Sequence, residues 1–283
     1  RLHGVDMVQK SVSAWQEGDE MPTVSLHDSE GRLLRGSIGN IRFVLEDERM
    51  AKSGVVGFDV MGDAVAVKWT LGAPESLDQL DVVLSTHPGF SPPSSANQLV
   101  KAVSPGRYRI RRSRAAGDLF DSADRDRWLR ATTSVDHQQP EIRAVAARLR
   151  RGARTDRDFV EAVNSWVFRS VAKSMVSNLS RASQVITVKR GDCTEHTLLT
   201  VALLRAEGVP AREVSGLVHM GPGTALFGFH SWVEAAVDGR WIEVDPSWNE
   251  VLVNPTHIRL GVGPSTDWLA TMGSIRLEVS VEP

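Results

Sequence analysis

The chain has 283 residues, of which 41% are hydrophobic and 24% charged, with a formal net charge of −2. That balance is ordinary for a globular protein and argues against capture by nucleic acid or by an anionic membrane. No run approaches the ~18 apolar residues of a membrane span, and a single cysteine excludes an intramolecular disulfide framework.

Residues 1 to 113 read as a β-rich domain, sandwich- or barrel-like. Short β-branched or alternating runs recur at 23–26, 41–45, 55–60, 64–71, 80–84 and 108–110. Turn residues separate them, as at Ser29-Glu30-Gly31 and Met61-Gly62-Asp63, and 90–95 is a Pro/Ser loop. This half shows no pairing of nucleophile and base, so scaffolding or substrate presentation is its expected part. Residues 114–283 form a second unit. It opens on a polar transition, 114–136, carrying Asp118, Asp121, Asp124 and Asp126. The transition lacks the closing Glu of a calcium loop, and interspersed arginines offset its charge, so it reads as solvated surface.

The period then becomes helical. Pro140 opens a helix with Ile142, Val145, Ala146 and Leu149 on one face, and a second runs from Thr155 with Phe159, Val160, Val163, Trp166 and Val167 inward. A polar loop at 177–183 follows. In Gly191-Asp192-Cys193-Thr194-Glu195, Asp192 is placed as an N-cap and Glu195 as the acid of a capping box. Gly208 and Pro210 end that helix. The sole cysteine therefore lies in a first helical turn, where free N–H groups and the dipole favour a thiolate. Met220 to Thr224 is a glycine-bearing connection, and 221–228 is a candidate lid.

Strands at 214–218, 229–237 and 241–245 follow, the last two joined across Asp238-Gly239, a hairpin signal. A two-residue loop pairs Val237 with Arg240. Counting outward, His230, Trp232 and Glu234 share a face with Trp241, Glu243 and Asp245, and His230 becomes a diagonal neighbour of Asp245. The same register sets Glu234 against Glu243, so one of them is expected to have a basic partner or to lie in water. Cysteine at a helix start with His and Asp on paired strands is what thiol acyl chemistry needs. The acid orients the imidazole, and the imidazole takes the thiol proton and returns it to the leaving amine.

Four blocks carry a resemblance: Gly191 to His196, Gly208-Val209-Pro210-Ala211-Arg212, Phe229 to Glu234, and Trp241 to Trp248. Over roughly 135–260 the chain resembles the transglutaminase-like superfamily, a circularly rearranged relative of papain. The resemblance implies an α+β, papain-like core, with the cysteine helix packed on an antiparallel sheet and the β-rich domain ahead of it. It implies a triad of Cys193, His230 and Asp245 and a thioester intermediate formed on a protein or peptide substrate, without a cofactor or metal. The Cys193 N–H is one oxyanion donor by position. For the second, family members use an upstream Trp or a polar side chain, which points to Trp166, although it falls in an apolar helical stripe, or to Gln184. Trp232, Phe229 and Trp248 are candidate cleft residues as well as packing residues.

Peptide or isopeptide hydrolysis is the expected activity, with transglutamination as the alternative. Two other classes stay open: a zinc hydrolase built on Cys193, His196, His219, His230 and His257, and a non-catalytic peptide-binding module. A lone thiol suits cytosol and periplasm alike. The expected location is periplasmic or secreted, with the signal segment absent from this chain.

Overall fold

The computed structural model describes residues 11–14, 23–28, 33–38, 41–44, 64–68, 71, 73–174, 179–263, 265 and 267–280. The strand expected at 55–60 and the turns at 29–31 and 61–63 lie outside the described residues. The first strands are β1 (Ser11–Ala14), β2 (Thr23–His27), β3 (Leu33–Ile38), β4 (Ile41–Val44), β5 (Val65–Ala66), β6 (Gln79–Ser85), β7 (Gln98–Ser104) and β8 (Arg107–Ser113). Helices α1 (Arg125–Leu129), α2 (Pro140–Arg151) and α3 (Asp156–Ser170) follow, then β9 (Ala172–Lys173), α4 (Ala182–Val188), β10 (Arg190–Gly191) and α5 (Cys193–Ala206). The chain continues through β11 (Ala211–His219), β12 (Leu226–Val237), β13 (Arg240–Asp245), β14 (Glu250–Val251), β15 (Ile258–Val262) and β16 (Arg276–Ser280).

The fold is mixed, with helices beside antiparallel sheets. Strands β1 to β4 form one meander in sequence order. A second four-stranded sheet has the order β16-β6-β8-β7, and the central sheet runs β14-β13-β12-β11-β15, with β5 added against β12. Two of these pairings cross the chain: β5 joins the central sheet at Leu226 and Phe227, and C-terminal β16 joins β6. The β-rich half thus finds its face-to-face partner in the central sheet, and Leu84 and Ile110 pack in one core with Leu217, Phe227, Phe229 and Ile258.

A separate core lies under the helices. Ile142 and Ala146 of α2, Phe159 to Val167 of α3, and Leu199 to Leu204 of α5 pack against Val233, Ala235, Val237, Ile242 and Val244. Positions 227, 229, 233, 235 and 237 share one pleat side of β12, so the covering layer changes along a single strand. Phe227 and Phe229 lie under the β6–β8 sheet, and Val233 to Val237 lie under helices. A right-handed strand twist rotates one face from one layer to the other. The changeover falls at 230–232.

Local chemistry explains the helix ends. Thr155 caps α3 in a reciprocal box with Asp158, and Pro140 occupies the first turn of α2. Two sequence readings are revised. Residues 182 and 183, read as the end of a polar loop, instead open α4, held at its start by Gln184 accepting from Ser180 N and Arg181 N. The polar stretch 114–136 is more than solvated surface: Trp128 is buried in it, edge-on to Trp241, and Leu119 bridges to Arg240. No helix among the described residues is long and apolar enough to cross a membrane.

Candidate active site

The site begins at the first turn of α5. The Asp192 carboxylate accepts from Thr194 N at 2.7 Å, and Glu195 reaches back to accept from Asp192 N at 2.8 Å. Gly191 permits this reach, because a Cβ there would stand 2.3 Å from the Glu195 Cβ. Cys193 is the first residue of the helix and is half-buried. Its backbone N–H belongs to the set that no helical carbonyl satisfies.

Asp238 and Gly239 both have positive φ, +51° and +74°, and Val237 pairs with Arg240, as the two-residue hairpin requires. His230 Nε2 lies 2.7 Å from Asp245 Oδ2. Asp245 Oδ1 accepts from Ser247 N at 2.7 Å. The Cys193 thiol stands close enough to the same imidazole to favour its charged form, and with Nε2 facing the carboxylate, Nδ1 is the nitrogen left for sulfur. Burial works against a charged ring, but Asp245, followed by Cys193, outweighs it and pushes His230 up to about 10. For Asp245 burial works the other way, raising the carboxyl, yet His230 and His257 hold it well below the usual carboxylate range.

Aromatic rings wall the imidazole. Trp248 stacks on His230 with centroids 5.1 Å apart and planes 17° apart, and Trp232 lies at 6.3 Å and 20°. Two paces along the same sheet face, the expected meeting of Glu234 with Glu243 is present, and both acids have basic partners. Glu234 binds Arg212 at 2.6 Å and Arg259 at 2.9 Å. Glu243 accepts from the Arg112 guanidinium, from Asn97 at 2.8 Å and from the Trp232 indole at 3.1 Å. Burial opposes the Glu243 charge, but Arg112 and then Arg259 hold it below its ordinary value. Arg112 belongs to β8, so the accessory sheet is keyed into the strand that carries Asp245.

Cys193, His230, Asp245, Trp232 and Trp248 are gathered in one place. Phe229 is buried in the neighbouring core, tilted against Trp268 at 5.9 Å. Trp166 packs on the helical core, with the Arg148 guanidinium 5.9 Å over its ring. Gln184 is exposed and uses its carbonyl to cap α4. The lid expected at 221–228 is a closed hairpin instead. Met220 N bonds Leu226 O at 2.9 Å, Thr224 Oγ1 bonds Gly221 O at 2.9 Å, and 226–228 are strand.

The zinc set does not assemble as drawn from sequence. His196 is buried with Nδ1 2.6 Å from Asp192 O and Nε2 3.1 Å from Val171 O, and His219 Nε2 faces Thr224 O. A different trio, His230, Asp245 and His257, brings three ligand-type atoms within 4.8 Å. Its spacings are those of hydrogen bonds, with His257 Nε2 3.1 Å from Asp245 Oδ2. His257 as a partner of Asp245 was not visible in the sequence. It precedes β15, which pairs with β11 and not with the hairpin, so no local count reaches it.

With this geometry in place, comparison with known proteins is informative. Residues 143–246 match the family model described as the transglutaminase-like superfamily. This segment is therefore similar to a transglutaminase-like core. The match covers less than half of the chain, ends one residue beyond Asp245, and leaves β1 to β8 and His257 outside. An uncharacterized Mycobacterium leprae protein is 37% identical over 79 residues, 26% of this chain and 28% of that protein's length. Among solved structures, a Cytophaga hutchinsonii protein described as a candidate cysteine protease aligns over 71% of this chain and 88% of its own, with 16% identity and a TM-score of 0.48. The periplasmic domain of TgpA from Pseudomonas aeruginosa aligns over 66% of this chain and 75% of its own, with 19% identity and a TM-score of 0.44.

Proposed function

We propose that the transglutaminase-like core carries out thiol-dependent acyl transfer on amide bonds, with hydrolysis of a peptide or isopeptide bond as its reaction. The observation that carries this is the continuous chain from the Cys193 thiol through the His230 ring to the buried Asp245 carboxylate. The thiol proton is held on His230 Nδ1 before attack, and in the first step the Cys193 thiolate bonds to the substrate carbonyl carbon. The carbonyl oxygen gains charge beside the Cys193 N–H at the helix start. Collapse breaks the C–N bond, His230 returns the proton to the departing amine, and a thioester remains. Water, losing a proton to His230, then adds to the thioester, and the acid is released as the thiol re-forms. Asp245 fixes the ring orientation and stabilises its charged form. Trp248 adds a π face to the same ring.

The test uses the fact that Cys193 is the only cysteine. Iodoacetamide should alkylate it at pH 6 with a rate reduced about tenfold or more by His230→Ala. An alkylation profile that His230→Ala leaves unchanged would refute the proposal. Peptide hydrolysis and amine incorporation, assayed side by side in native protein and Cys193→Ala, separate hydrolysis from transglutamination. An activated thiol with no turnover of any amide would favour the peptide-binding reading.

A further inference from the structure

Asp245 has more hydrogen bonds than orientation of one imidazole requires. Ser247 N fixes Oδ1, while Oδ2 lies 2.7 Å from His230 Nε2 and 3.1 Å from His257 Nε2. His230 exchanges protons with sulfur, leaving group and water in the reaction proposed above, so its bond to Oδ2 is the one that changes through a cycle. The Ser247 amide alone leaves the carboxylate free to turn about its held oxygen. A donor that takes no part in proton exchange removes that freedom.

We propose that His257 is that donor: a positioning residue that locks the Asp245 carboxylate in the plane from which it serves His230. The inference rests on the triad reading of Cys193, His230 and Asp245. His257 is fully buried, so it acts through Asp245 and not on a substrate. Its own placement is tightly determined. Nδ1 lies 3.1 Å from Asn254 O. Asn254 Oδ1 accepts from Thr256 N at 3.0 Å and from Thr256 Oγ1 at 2.6 Å, and the Glu250 carboxylate accepts from Asn254 N at 3.0 Å. The Arg112 Nε donates to His257 O at 2.6 Å, which ties the residue to β8 as well. Trp232 and Trp248 meet the ring edge-on at 5.2 and 5.7 Å, so it cannot swing away from Asp245. A histidine that only filled space at this point would need neither nitrogen aimed at an acceptor.

The test compares the pH profile of Cys193 alkylation by iodoacetamide in the native protein, His257→Phe and His257→Gln. Phe keeps a ring of similar size and lacks the donor, and Gln restores an N–H. The expected result is that His257→Phe moves the acid limb of the profile up by about one pH unit, near tenfold in rate at pH 6, and that His257→Gln recovers most of it. A folded His257→Phe with the native profile, a profile moved to lower pH, or a Gln variant no better than Phe would overturn the inference. Should His257→Phe fail to fold, the native protein answers directly. In ¹⁵N-resolved spectra the His257 Nε2 proton should lie downfield and move upfield in Asp245→Asn, and an unprotonated Nε2 or an unmoved resonance would overturn the assignment. Failure of the triad reading looks different: His230→Ala leaves the native profile in place, while the His257 resonance still reports its bond to Asp245.

Discussion

Glu243→Gln tests whether the two halves of the protein are held by charge at their junction. The carboxylate is fully buried and accepts from Arg112, Asn97 and the Trp232 indole, with Arg259 3.5 Å away. The amide keeps the shape and removes the charge, leaving the Arg112 and Arg259 guanidiniums facing each other across a buried site. It also turns an N–H toward at least one of the existing donors. Breaking a buried, hydrogen-bonded ion pair by removing one partner costs about 3–5 kcal/mol. With a urea dependence of about 3 kcal/mol per molar, the unfolding midpoint should fall by about 1–2 M. The pH dependence carries the sign. The folded protein holds Glu243 at about 2, below its ordinary value of 4.5, so its contribution is fully present above 4.5 and is lost as pH falls toward the lower folded value. The gap between native protein and variant should therefore be constant above about pH 5 and close as pH falls below it. Equilibrium urea unfolding at pH 7 and at intervals down to the lowest pH at which both proteins fold is the assay. A loss under about 1 kcal/mol at pH 7, or a gap that persists unchanged into acid, would refute the reasoning.

Gly216→Ala should destabilise the chain by about 1–3 kcal/mol in the same assay. A Cβ there would stand 2.1 Å from Ile258 O and 2.8 Å from the Trp232 ring, and parting β11 from β15 draws His257 off Asp245. Trp248→Leu removes the stacked face from His230, a contact of about 0.5–2 kcal/mol if the ring is cationic. Slower alkylation of Cys193 at pH 6, by about twofold to thirtyfold, is expected with the melting temperature little changed.

The parts of the site legible in the sequence are those set by short-range geometry. A capping box spans four residues, and it places Cys193 on a helix start whatever the rest of the chain does. A two-residue turn fixes a register, and the register alone brings His230 to Asp245. Partners that arrive from a distance left no local trace. Arg112 lies 131 residues from Glu243, and its alternating strand reads as a half-exposed edge, since nothing in 107–113 indicates that one arginine points into a core. His257 sits in a turn whose Asn-Pro-Thr sequence signals a bend and nothing about where the next side chain goes. Trp128 was hidden among acids and arginines that face solvent while its indole turns inward. The glycines of 221–228 suggested mobility, but glycine also permits tight hairpins and close approach, and Gly228, with Met220 Sδ 2.6 Å from where a Cβ would be, shows the second use. The β-rich half was readable as strands, whereas its pairing partners, β12 for β5 and β16 for β6, lie about 160 and 195 residues away, beyond any pattern of alternation.

One consequence concerns where the chain can be cut. Strand β12 is roofed by helices at one end and by the β6–β8 sheet at the other, and the proposed base, His230, stands at the level along the strand where that cover changes. The boundary between 113 and 114, which the change of sequence pattern marks, is a boundary of composition and not of cohesion. A chain begun at residue 114 would carry every member of the proposed triad. It would also expose Phe227 and Phe229, strand β16 on its own, and leave Glu243 without Arg112. The family-matched segment thus holds the proposed chemistry but not all of its support, since the sheet outside the match packs on the same strand and supplies Arg112 to Glu243.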